Sequence, residues 1–261
     1  MILFLHELKQ NSKSLIIWTL SIGLICLGCL FMYDGLQSDL QAMSDMYANM
    51  GAVSIAMGMD KISIATMDGF YATEIGMMFS LGGALYAGML GISMLSKEEE
   101  GHVAEFLHTF PISRNQIVTS KYIAIVINLL ILNVVCPTLC YTAFPILGND
   151  ISIKKFMLFH LAQFIMQIEL ATMTFMISAM SRKKLAGVGL GGVFILYVVD
   201  LMCRILPDIK NLKYITPFYY SNGADIFYQG KIDSVPLYVG IVILLISLVM
   251  TYVIYGRRNI Q

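Results

Sequence analysis

Three places in this 261-residue sequence carry side chains able to do chemistry. Glu98, Glu99 and Glu100 stand in a row with Glu105 close behind, acids that membrane topology does not call for, so another role should hold them. Glu169 stands in a long, mostly apolar stretch, where an ionisable group is costly and reads as a transport or gating candidate. Asp200 and Arg204 are four residues apart, so on a helix they share a face and can neutralise each other. The parts of a catalytic centre are absent. A phosphate-cradling loop needs G-x-x-x-x-G-K-[ST] opening a helix, and the nearest approach, Gly230-Lys231-Ile232, has the wrong spacing and no hydroxyl. H-E-x-x-H and G-x-S-x-G do not occur, and His6, His102, His108 and His160 are scattered. Cys26 and Cys29 form a C-x-x-C within an apolar run, without the further ligands zinc needs; with Cys136, Cys140 and Cys203 they read as small apolar fillers. The chain is expected to catalyse nothing and to bind no metal or cofactor itself.

The elements that must position these groups are membrane helices. The AVILMFWYC set makes up 57% of the chain and charged residues 13%, about half the roughly 25% of a soluble domain. Mean hydropathy is +0.74. Lys+Arg and Asp+Glu are both 17, so the basic excess of a nucleic-acid binder is missing. Six runs approach or exceed the roughly 20 apolar residues a span needs: 15–34, 75–95, 122–144, 156–180, 185–203 and 235–255. The expected fold is an all-α integral membrane protein, one transmembrane domain over residues 1–261. Residues 1–14, with Ile2, Leu5 and Leu8 at helical spacing, read as an amphipathic helix lying on the membrane face. With both termini cytoplasmic, the inner segments hold 10 Lys and Arg in 50 residues and the outer loops 6 in 78. Positive residues favour the inner side, so this is the expected orientation, in the plasma or inner membrane. The Met-rich outer stretch 35–70 is expected to pack on the external face, with a short helix around Leu36–Met50.

Span four carries a polar stripe, His160, Gln163, Gln167, Thr174 and Ser178, on one helix face, with Glu169 on another. The stripe either lines a polar path or bonds to other spans, with packing the favoured reading. Asp200 and Arg204 read first as a structural pair. Gly76, Ser80, Ala84 and Gly88 in span two, with Gly83, Ala87 and Gly91 alongside, form small-residue surfaces for close helix approach, and Gly187 and Gly191 repeat the pattern in span five.

The most informative segment joins spans two and three. After Gly101, Ala104-Glu105-Phe106-Leu107 reads as a short helix with an apolar face, Pro111 stops it, and Ser113 can cap the next helix. Such a helix, framed by charge, suits a groove in a partner protein; a solvated connector is the plain alternative. The pattern Glu-Glu-Glu-Gly-x-x-x-Glu-Phe-Leu-x-Thr-x-Pro-Ile-Ser-Arg over 98–114, followed by Ile117 and Lys121, resembles the first cytoplasmic loop of type-2 ABC transporter permeases. Phe4-Leu5-His6-Glu7-Leu8-Lys9 with Trp18 is similar to that family's N-terminal elbow helix, and Thr216-Pro217-Phe218 and Tyr255-Gly256-Arg257-Arg258-Asn259-Ile260 resemble further family patterns. His102 stands where the family usually has Thr, and Asn259 where it usually has Asp.

The resemblance implies a six-span permease with both termini inside, an elbow helix, and a cytoplasmic coupling helix between spans two and three. It implies a pair of permease subunits, identical or mixed, held through spans one and five, and two ATP-binding subunits that carry ATP and Mg. By that resemblance Glu98, Glu99, Glu100, Gly101, Glu105, Phe106, Leu107, Pro111 and Arg114 form the coupling surface, Glu105 making a charge contact and Phe106 the apolar anchor. The expected function is ATP-driven movement, with export the leading direction, of a substrate the sequence does not identify. Glu169, Gln163, Gln167, Asp200 and Arg204 are the intramembrane candidates. The alternatives are an ion- or proton-coupled secondary transporter using Glu169, and a non-transporting sensor or immunity subunit.

Overall fold

The computed structural model describes residues 2–97, 112–183 and 185–258, and these contain helices and no strand. The elements are α1 (Ile2–Ala48), α2 (Ala52–Met57), α3 (Met67–Phe70), a π-helical turn (Tyr71–Ile75), α4 (Gly76–Ser93), α5 (Arg114–Ile146), α6 (Ile153–Met180), α7 (Ala186–Ile205), a 3-10 helix (Pro207–Tyr214), α8 (Gly223–Gln229) and α9 (Ser234–Arg257). Each of the six expected spans matches, to within two residues where it overruns, a helix long and apolar enough to cross a membrane, the second running from Met67 to Ser93 through the π turn. Contacts between their ends put the start of α1, the ends of α4, α6 and α9 and the start of α5 on one face, here the terminal face. The opposite, distal face carries α2, the 3-10 helix and α8.

The N-terminal segment differs from its expected form. Residues 2–14 continue into span one as a single helix that reaches Ala48, which also absorbs most of the short outer helix expected at Leu36–Met50. At 1.5 Å per residue this helix is about 70 Å long, over twice the roughly 30 Å hydrocarbon core, so both ends project beyond it. Leu3, Phe4 and Leu8 pack against the protein core, while Leu5 is exposed. A separate elbow lying on the membrane is not seen.

α4 and α6 form the centre of the bundle, and α1, α7 and α9 lie at its edge with exposed apolar flanks. The small residues of α4 explain its position. On one face, a Cβ at Gly91 would fall 2.2 Å from the carbonyl oxygen of Ala171, and one at Gly83 would fall 2.3 Å from the Gln167 amide, so α6 sits almost backbone to backbone with α4. On another face, Gly88 meets Val193 and Gly189 of α7. The helix-approach reading of span two therefore holds. In span five the close residue is Gly189, whereas Gly187 and Gly191 face open space. A left-handed Gly58 (φ 74°) ends α2 and lets Ala224 of α8 come closer than any side chain would permit.

Candidate functional site

The terminal face is built around a buried carboxylate. Glu7 is closed to solvent in the first turns of α1. Its Oε1 accepts from Lys121 Nζ at 2.8 Å, and its Oε2 accepts from Lys97 Nζ. Lys121, also fully buried, donates as well to the Met94 carbonyl at 2.8 Å, closing the end of α4. Lys97 reaches Gln10 Oε1 at 2.7 Å. An ion set removed from water is held only when each charge is paired and hydrogen-bonded, which these contacts achieve. Lys97 immediately precedes loop 98–111 and Lys121 lies two helical turns beyond it. The start of α1 is thus tied to both roots of that loop.

The other termini join the same face. Ser113 caps α5 in a reciprocal capping box: its Oγ accepts from Gln116 N at 3.3 Å, and Gln116 Oε1 accepts from Ser113 N at 3.0 Å. Arg114 donates to the carbonyls of Gly256 (2.9 Å) and Arg258 (2.7 Å), satisfying acceptors at the end of α9. Arg258 in turn donates to Ala179 O at 2.9 Å and Ser181 O at 2.8 Å, at the end of α6. Of the residues expected in the coupling surface, Arg114 is therefore bound to the end of α9. Glu98, Glu99, Glu100, Gly101, Glu105, Phe106, Leu107 and Pro111 lie outside the described residues.

The polar stripe of span four is buried between helices. His160 Nε2 lies 2.9 Å from the Tyr71 hydroxyl on the π turn, Gln163 Nε2 donates to Ser221 O at 2.7 Å, and Gln167 Oε1 accepts from Asn133 Nδ2 at 2.6 Å. Ser178 Oγ accepts from the Leu95 and Ser96 amides at 3.0 and 3.1 Å. Each contact fixes α6 to a neighbour, as the packing reading expects. Glu169, on its separate face, accepts from the Tyr220 hydroxyl at 2.8 Å and lies against Gly240 of α9, where a Cβ would come within 2.5 Å of it.

Asp200 and Arg204 do pair: Nε of Arg204 donates to Asp200 Oδ2 at 2.9 Å. The pair is part of a longer chain. Arg204 Nη1 donates to Asp225 Oδ2 at 2.6 Å, and Lys61 donates to Asp225 Oδ1 at 2.7 Å. Burial by itself would raise the Asp225 carboxyl, but Arg204 and Lys61 outweigh it and hold the group below the usual aspartate range. Acid and base alternate along four side chains, so α7, α8 and the loop after α2 are clamped together without a net buried charge.

Two functional candidates were not visible in the sequence pattern. Glu7 resembled a surface charge because its partners are 90 and 114 residues away. Glu74 lies just before the expected start of span two, inside the π turn, a deformation that recurs at functional sites. It is half-buried near Cys29 of α1 and has no ion-pair or hydrogen-bond partner among the described residues. With Met78, Leu81, Leu85 and Met89 it continues as a half-open strip of α4. The strip runs between the face where Gly82 meets Ile22 of α1 and the face where Gly88 meets α7.

The family model described as "ABC-2 family transporter protein" matches residues 1–260. Six spanning helices and this match define a multi-pass membrane subunit of a transporter, and the chain belongs to the ABC-2 transporter family. Members work with an ABC ATP-binding partner. No curated protein sequence matches the chain.

Proposed function

We propose that the chain is the permease half of an ATP-driven exporter, with both termini and loop 98–111 on the cytoplasmic side. In this reading a separate ATP-binding subunit seats on residues 98–111, with Glu105 as its charge contact and Phe106 as its anchor. The observation that carries it is the buried Glu7, whose two oxygens hold Lys97 and Lys121 on either side of that loop. A push on the loop would move the ends of α1, α4 and α5 together instead of bending a loose connector.

Two permease copies would pair along the exposed apolar flanks of α1 and α7, Phe31 and Ile17 on one and Phe194 and Ile195 on the other. That pairing covers the α4 strip and shields Glu74 from hydrocarbon, where an uncompensated carboxyl is disfavoured. Tyr220 and Gly240 enclose Glu169, which supports a structural role for it over the ion-coupled alternative. Co-expression with an ATP-binding protein encoded beside it, followed by mass measurement of the purified complex, tests the assembly. Two permease and two ATP-binding chains are expected; a chain that purifies without the ATP-binding protein, in every detergent tried, would overturn the reading.

A further inference from the structure

The 3-10 helix Pro207–Tyr214 follows α7 directly, where that span ends on the distal face. Side chains three apart stack in a 3-10 helix, so the segment has three distinct faces. Leu206, Ile209, Leu212 and Ile215 make one face, and Leu206, Leu212 and Ile215 are 43%, 38% and 51% exposed. An apolar face at the end of a span fits the hydrocarbon boundary of the membrane. Asp208, Asn211 and Tyr214 make the second face. Pro207, Lys210 and Lys213 make the third.

That basic face looks onto a cavity of about 240 Å³ whose walls include Lys61, Arg204, Lys210, Cys203, Pro207 and Tyr219. Lys213 Nζ lies 5.4 Å from the centre of the Tyr219 ring. Asp200 and Asp225 are bound to Arg204 and Lys61, while Asp208 stands on the neighbouring face of the 3-10 helix and Asp60 precedes Lys61. Lys61 uses one N–H on Asp225, and Lys210 makes no hydrogen bond among the described residues, so donors remain for an anion. Beside the cavity-lining Pro207 and Lys210, the exposed Leu206 and Leu212 of the adjoining apolar face offer a track toward the membrane.

We propose that this cavity binds the phosphate of an anionic phospholipid, with the acyl chains along Leu206 and Leu212 and the headgroup between Lys61 and Lys210. The site depends only on the membrane-spanning fold and stands apart from the transport reading. A free phosphate ion shares the headgroup chemistry but has no use for the apolar track.

Native mass spectrometry of the full chain in detergent tests the site, with separate titrations of phosphatidylglycerol, phosphatidylcholine and inorganic phosphate. Phosphatidylglycerol is expected to bind more tightly than phosphatidylcholine. At about one kcal/mol per lysine, K210Q/K213Q is expected to weaken it about 30-fold. K154Q/K155Q, an equal charge change at the start of α6 on the same face, is expected to bind as the unmodified chain does. Equal binding of the two lipids, or equal losses in the two double variants, would overturn the site. Displacement of phosphatidylglycerol by inorganic phosphate at similar concentration would reassign it to a soluble anion. Both lysines of the first variant are outside the core, and matching unfolding midpoints will exclude misfolding as the cause.

Discussion

The carboxylate of Glu7 lies 2.8 Å from the ammonium of Lys121, and both side chains are closed to solvent. Removing one member of such a pair leaves the other charge buried without compensation. Glu7→Ala is expected to destabilise the chain by about 3–5 kcal/mol, and Glu7→Gln by a similar amount, because the amide restores shape but not charge. Denaturant unfolding in detergent measures both. A loss under about 1 kcal/mol, the range of surface pairs, would mean that water reaches the site.

The contact between α4 and α6 gives a second test. At Gly91 the opposing atom is a backbone carbonyl that cannot swing aside. Gly91→Ala is expected to cost about 1–3 kcal/mol as the helices are forced apart. Gly187→Ala, into open space, should be neutral or slightly stabilising within one copy. Gly187→Leu should leave unfolding of the single chain unchanged but weaken pairing of copies, read by sedimentation or cross-linking.

Glu169 separates a structural from an ion-coupled role. Glu169→Gln keeps an oxygen for the Tyr220 hydroxyl, and stability and transport are expected to stay near normal. Glu169→Ala strands that hydroxyl, with an expected loss of about 1–3 kcal/mol. Abolished transport in the glutamine variant, with assembly and ATP turnover intact, would assign the carboxylate a direct role.

The clamp on the distal face should be sensitive to acid. Because Asp225 has a lowered pKa in the folded chain, its contribution is complete above the unfolded value, near 4, and is lost as pH falls through the lower folded value. Asp225→Asn is expected to lower stability at neutral pH, where Arg204 and Lys61 lose their shared acid, and to flatten the acid limb of the pH–stability curve. Unfolding midpoints from about pH 7 down to about pH 3 check both effects.

Six spans, the Asp200–Arg204 pair and the small-residue faces of span two were legible because each is local: a run of apolar residues, an i,i+4 pair, a four-residue repeat. Features set by distant partners were not. Glu7 sits among Ile2, Leu5 and Leu8 as a surface charge would, and only the arrival of Lys97 and Lys121 buries it. The third and fourth charges of the distal clamp, Asp225 and Lys61, are 164 residues apart. In span five the repeat of Gly187 and Gly191 was visible, but the adjacent Gly189 makes the contact, since rotation of α7 about its axis is fixed by α4 and leaves no local mark. Glu74 escaped notice because it falls at the boundary of an apolar run, where a charge looks ordinary.

That a separate ATP-binding subunit drives this chain through residues 98–111 is the core of the proposed function. Its most direct test is ATP turnover by the purified complex carrying the double replacement E105A/F106A, beside the unmodified complex. Loss of ATPase co-purification, or of the permease's effect on ATP turnover, is expected, with the chain still folded. A double variant that retains its ATPase and couples normally would contradict the assignment.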